Sequence, residues 1–217
     1  MTNDEAIFVD PANPGAFKRG IFNAIIAPRP IGWLSTVDEN GEANLAPFSY
    51  FNIVSNYPPI LMFSCNTPED RNAKDTLNNV RKTGEFVFNL VSEALIREMN
   101  DTSSPVSYEE DEFEHFGIEK APCQMVRPPR VAASPCSLEC RVIEKISFGG
   151  GDLGPQTNVV FGQIVGVHIA PGFLDDNGHF DTLAARPVSR LGGAEYSVTT
   201  ESFSLTRKFT RANEATY

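Results

Sequence analysis

The stretch APRPIGWLSTVDENGEANLAPFSYFN, residues 27–52, decides the fold. It reads as a strand, a tight turn and a returning strand. From Ile31 to Val37 the residues alternate, with Ile31, Trp33, Ser35 and Val37 on one face and Gly32, Leu34 and Thr36 on the other. Asp38-Glu39-Asn40-Gly41 is a turn in which Asn40-Gly41 suits positive φ. Glu42 to Tyr50 is the return. Pro47 lies inside it and can donate no ladder hydrogen bond, which predicts an edge, a bulge or an interruption. Such a strand offers backbone groups beside Ser49 and Asn52 to a flat polar ligand. An ordinary bulged hairpin fits the same pattern.

Downstream, ILMFSC (residues 60–65) is a short unbroken apolar run, which predicts a strand buried on both faces. Residues 66–75 are polar and read as a loop. Thr76 to Lys82 predicts a short helix with Leu77 and Val80 inward and Gly84 at a left-handed C-cap. Glu85 to Val91 is a strand, and Ser92 is placed to cap a helix through about Asn100, with Leu95, Ile96 and Met99 inward. Residues 101–124 form an acidic excursion, expected to be solvated and too long for a plain connector, so that a lid or a dimer contact is in view. Ser137 to Phe148 and Asn158 to Ala170 are strands, the second with Gly162 and Gly166 marking a bend or a close approach. Six or more largely antiparallel strands and two short helices predict a closed or partly closed β-barrel, since closure removes exposed edges.

The chain has 217 residues, 41% of them hydrophobic, enough for a sizeable core. Its net charge of −10 argues against nucleic acid and anionic membranes as partners. No apolar run is long enough to span a bilayer, and the acidic N-terminus lacks the layout of a secretory signal, so a cytoplasmic location is expected. Cys65, Cys123, Cys136 and Cys140 lack Cys-x-x-Cys spacing and read as reduced thiols; with His115, His168 and His179 scattered, no metal site is expected.

Among local signals, Gly149-x-Gly151-x-x-Gly154 matches a dinucleotide fingerprint but is followed by Pro155 and a valine-rich strand, not by the helix whose N-terminus would meet the pyrophosphate. Arg71, Lys74 and Thr76 fall within six residues at the start of the predicted helix, where the helix dipole favours a phosphate. A polar loop and a helix capped by Asp75 or Thr76 is the alternative. There is no Gly-x-Ser-x-Gly elbow, the histidines read as structural, and Trp33 reads as core.

Three segments together resemble the flavin reductase-like family with its FMN-binding split β-barrel. They are Pro28 to Thr36 with Asn44 to Asn52, Arg71 to Thr76 leading into Thr83 to Leu90, and Arg190-Leu191-Gly192-Gly193 with Tyr196. The resemblance covers about residues 15 to 200 and implies a mainly β, antiparallel, Greek-key split barrel with short flanking helices. That is a single domain over residues 1–217, with 101–124 as the acidic excursion and 200–217 as a C-terminal extension. It implies a homodimer with FMN near the subunit interface. Ser35, Thr36 and the backbone of Ala46, Pro47, Phe48, Ser49 and Tyr50 would line the flavin, and Asn52 would add a polar contact. Arg71, Lys74 and Thr76 would hold its phosphate, and Arg190 and Tyr196 would close the site.

The implied activity is NAD(P)H-dependent flavin reduction, with NADH or NADPH as donor and a flavin-dependent monooxygenase as a possible recipient of reduced flavin. Hydride transfer from nicotinamide to flavin needs no protein acid, base or nucleophile, so no catalytic residue is assigned. An FMN-bound electron carrier and a barrel module that has lost its flavin are the alternatives.

Overall fold

The computed structural model describes residues 6–11, 20–66, 74–104, 110–149 and 156–206. In chain order these form α1 (Ile21–Ile25), β1 (Arg29–Pro30), β2 (Gly32–Val37), β3 (Ala43–Phe48), β4 (Phe51–Asn56), β5 (Pro59–Asn66), α2 (Asp75–Thr83) and β6 (Glu85–Asn89). A 3-10 turn (Glu93–Leu95) leads into α3 (Ile96–Asp101), followed by α4 (Glu112–His115), β7 (Lys120–Ala121), β8 (Arg130–Val131), β9 (Cys136–Phe148), β10 (Thr157–Ile169), α5 (Thr182–Ala185), β11 (Val188–Arg190) and β12 (Tyr196–Val198).

Seven strands make one antiparallel sheet in the order β3-β2-β6-β9-β10-β5-β4. Its two edge strands, β3 and β4, are consecutive in the chain and joined only by Ser49 and Tyr50. The sheet must therefore roll until its edges meet, and the Ser64 N–H donates to the Tyr50 carbonyl at 2.8 Å across that corner. The result is the split barrel. Its interior is filled by Leu34, Phe48, Phe51, Leu61, Phe63, Phe86, Cys140 and Val160, with Leu77 and Val80 of α2 packed against them. The opposite face of β2 and β3 builds a second core, in which Trp33, Val37 and Leu45 meet Val91, Leu95, Met99, Phe113, Ile118 and Val131. The alternation predicted for Ile31 to Val37 is thus real, but both faces are buried. Trp33 is fully enclosed, its indole N–H donating to the Thr102 hydroxyl at 2.9 Å.

Several expectations are corrected. The returning strand ends at Phe48, and residues 51–56 form a separate strand at the far end of the sheet. ILMFSC is not buried on both faces: Leu61, Phe63 and Cys65 point inward, whereas Met62 and Ser64 are part-exposed. The helix expected from Ser92 is broken into a 3-10 turn and α3, and the Ser92 hydroxyl makes no cap bond. The acidic excursion is anchored where it is described. Asp111 caps α4 by accepting the Phe113 N–H, Phe113 is buried in the second core, and the Glu112 carboxylate accepts the Leu45 N–H at 2.8 Å. In the glycine-rich run, residues 150–155 lie outside the described residues, and β10 follows them.

Gly84 closes α2 in the left-handed region at φ 71°, its N–H donating to the Val80 carbonyl. The register shifts of the β9–β10 pair fall at Gly162 and Gly166. A Cβ on Gly162 would lie 2.4 Å from the ring of the fully buried Phe86. Gly162→Ala is therefore expected to destabilise the fold by about 1–3 kcal/mol, as overpacking does. Urea unfolding reads this directly, and an unchanged midpoint would contradict the close approach.

Candidate functional site

The site is organised by the free edge of β3. Among the described residues this strand pairs only with β2, with Gly32 opposite Phe48 and Trp33 opposite Pro47. The Leu45 N–H points away from β2, toward Glu112. Pro47, two residues on, faces the same way, so its missing N–H costs the ladder nothing. The edge reading of Pro47 therefore holds. Past Phe48 the chain turns at Ser49 and at Tyr50, which is 46% exposed. Asn52, exposed on β4, uses its side-chain oxygen to accept the following Ile53 N–H.

The start of α2 stands beside this edge. Lys74 is its N-cap residue in extended conformation, and the Lys74 side chain makes no cap bond. The first intrahelical bond is from the Asn78 N–H to the Lys74 carbonyl at 3.0 Å, so the N–H groups ahead of it point out of the helix start. The Lys74 ammonium lies 5.3 Å from the centre of the Phe48 ring. Beneath them is a buried polar network. The Asn44 amide donates to the hydroxyls of Thr36 and Thr76, at 3.4 and 3.0 Å, and the Asn79 amide donates to Thr36 at 3.1 Å. The Asn79 side-chain oxygen is buried without a partner.

Three predicted ligand hydroxyls are thus turned inward. Thr36 and Thr76 belong to this network, and the fully buried Ser35 donates to the Pro129 carbonyl at 2.5 Å. Arg71 lies outside the described residues.

On the other side of the corner, Tyr50 donates to the Asn23 side-chain oxygen at 2.7 Å, and the Arg29 guanidinium lies 5.8 Å from the centre of the Tyr50 ring. Strand β1 carries Arg29 against β11, and β11 pairs with β12, so Arg29, Arg190 and Tyr196 are cross-strand neighbours in a row. Arg190 donates to the Tyr196 hydroxyl, which in turn donates to the Asn100 side-chain oxygen at 3.2 Å. The structure therefore gathers Phe48, Lys74, Thr36 and Thr76 on one side of the corner. Tyr50 and Arg29 stand on its other side, and Arg190 and Tyr196 continue from Arg29 along the small sheet.

The sequence reading missed Asn23, Arg29, Asn44, Asn79 and Glu112. Arg29 sits in the quoted Pro-Arg-Pro run, but its importance depends on β11 arriving from far along the chain. Glu112 lay within an acidic run whose members look alike until one of them is buried. Burial pushes its carboxyl up from 4.5 to about 7. The Leu45 N–H opposes that shift, and Asp75 and Asp111 reinforce it.

The four cysteines are free. Cys123, Glu139 and His168 bring one donor atom each to within 4.8 Å of one another, a grouping that sequence spacing did not reveal. The Glu139 carboxylate is already occupied by the N–H groups of Gln124, Met125 and Val126 and by His168 at 2.5 Å. Burial pushes the Cys123 thiol up to about 12, away from the thiolate a metal needs. No described helix is long and apolar enough to cross a membrane.

Comparison with known proteins agrees with this arrangement. Residues 26–184 match the family model described as flavin reductase like domain. An uncharacterized protein of Halalkalibacterium halodurans is 38% identical over 182 residues, covering 84% of this chain and 87% of the relative. The crystal structure of nitrilotriacetate monooxygenase component B from Bacillus cereus superposes with a TM-score of 0.84 at 28% identity, covering 93% of this chain and 100% of that one. That of the Pseudomonas fluorescens 2-nitrobenzoate 2-nitroreductase NbaA superposes with a TM-score of 0.78 at 26% identity, covering 93% and 98%. With its rolled antiparallel sheet, interrupted edge strand and adjoining helix start, this chain belongs to the flavin reductase-like family and is a flavin-linked oxidoreductase.

Proposed function

We propose that the chain binds FMN and catalyses NAD(P)H-dependent flavin reduction. The observation that carries the reading is the start of α2, with the Lys74 ammonium at its N-cap, beside the edge strand β3. A phosphate is favoured there by outward N–H groups, the helix dipole and an ammonium together. The residues present fit FMN. Lys74 has no carboxylate partner among the described residues, and with Arg71 it would hold the phosphate. The edge from Ala46 to Tyr50, backed by the rigid network of Thr36, Asn44, Thr76 and Asn79, would hold the ring system, with Asn52 nearby and Arg190 and Tyr196 at the rim. Bound FMN supplies the electron-accepting chemistry, and the chain's own task is to orient and shield it.

Exposed apolar side chains on β4, β9 and β10, including Ile53, Val54, Ile143, Ile146, Phe148 and Val167, support a homodimer. The likeness to a monooxygenase component supports delivery of reduced flavin to such an oxygenase. An anaerobic absorbance spectrum with FMN, then NADH, then NADPH tests the reading. Bleaching of the flavin band by one donor is expected. Flavin bound but unreduced by both would replace it with an electron carrier, and an unperturbed FMN spectrum would overturn it.

A further inference from the structure

Two arginines stand opposite each other without a counter-charge among the described residues. Arg29 of β1 is the register partner of Arg190 of β11, and Arg190 is the partner of Tyr196 of β12. Directly opposed residues of an antiparallel pair project from the same face, so the three side chains form one row. Arg29 is only 7% exposed. Its guanidinium donates to the carbonyls of Asn23 at 3.2 Å and Leu191 at 2.9 Å, and its Nε is buried with no partner. The Arg190 guanidinium lies 4.5 Å from the centre of the Tyr196 ring and donates to the Tyr196 hydroxyl and the Gly193 carbonyl.

Among the described residues neither guanidinium contacts a carboxylate. This happens in a chain with 28 acidic residues and a net charge of −10, where a counter-ion was easy to supply. Like charges set opposite weaken a sheet, and a buried charge without a counter-charge costs more. Local rules broken in this way mark functional positions.

We propose that Arg29 and Arg190 form an oxyanion site, separate from the phosphate seat at Lys74. The two seats flank the corner, Lys74 against Phe48 and Arg29 against Tyr50. The site takes the phosphate or carboxylate group of the small molecule that exchanges electrons with the flavin. This role for the ligand rests on the reading above, whereas the site itself rests on the arginine row. Guanidinium forks suit both anions because each presents two acceptor oxygens to paired donors.

The test is calorimetric titration of the FMN-saturated protein with inorganic pyrophosphate and, separately, with benzoate, FMN absorbance being recorded alongside. Saturation keeps the Lys74 seat occupied. One equivalent of at least one probe is expected to bind, and Arg190→Gln is expected to weaken it about tenfold or more. Arg190→Lys, which keeps the charge but not the fork, is expected to weaken it less. Pyrophosphate uptake lost in Arg190→Gln identifies a phosphate-bearing ligand, and benzoate uptake lost identifies a carboxylate. Uptake of neither probe, or uptake unchanged in Arg190→Gln, overturns the proposal. If FMN absorbance shows no flavin bound while a probe still binds in an Arg190-dependent way, the flavin reading fails and the anion site stands.

Discussion

Alanine at Arg71 and Lys74 together is expected to weaken FMN binding by about 3–6 kcal/mol, roughly two to four powers of ten, because each charge-assisted contact to phosphate is worth about 1.5–3 kcal/mol. Riboflavin has no phosphate, so its affinity is expected to change little. The paired titration separates loss of the phosphate seat from damage to the ring site. Lys74 is exposed at the helix N-cap and Leu77 and Val80 carry the packing of α2, so the thermal transition should hardly move. Unchanged FMN affinity would refute the phosphate seat, and an equal loss for riboflavin would place these cations at the ring instead.

A second large effect is expected at Glu112. Burial raises its carboxyl from 4.5 to about 7, against the pull of the Leu45 N–H and with help from Asp75 and Asp111. A raised carboxyl keeps its proton in the folded chain while the unfolded chain has already lost it. Stability from this group is therefore lost as pH rises between about 4.5 and 7, and the full penalty stands above that window. A shift of this size corresponds to about 2–4 kcal/mol. Glu112→Gln keeps an oxygen for the Leu45 N–H without the charge. Urea unfolding at pH 5 and pH 8 should give a variant-minus-wild-type difference that grows with pH, with the variant the more stable at pH 8. The difference isolates Glu112 from carboxyls shifted the other way, such as Asp38 and Glu139. A difference independent of pH would show that Glu112 is ionised in its buried position. The same bond ties the acidic excursion to the edge strand, so the measurement also reports how firmly α4 is held against β3.

Much of the architecture was legible because it follows from local chemistry. The alternation of Ile31 to Val37, the turn with positive φ at Gly41 though not at Asn40, the glycine after Lys82 and Thr83, and the proline within Ala43 to Phe48 each impose a backbone geometry whatever surrounds them. The helix start beside Lys74 was legible for the same reason, since a helix end is set within one turn.

What the sequence by itself determined was thus the alternation of β2, the short helix with its glycine C-cap and the presence of a non-donating proline in β3. Tertiary structure decided the rest, because the deciding contacts join residues far apart in the chain. Closure turns on Ser49 and Tyr50 joining the two sheet edges, and it ends the strand at Phe48 where local pattern carried it to Tyr50. Burial selects Glu112 from a run of acids that sequence makes equivalent. The same enclosure turns the hydroxyls of Ser35, Thr36 and Thr76 inward. The pairing of β1 with β11 sets Arg29 against Arg190 across 161 residues of chain, a juxtaposition that no local pattern encodes.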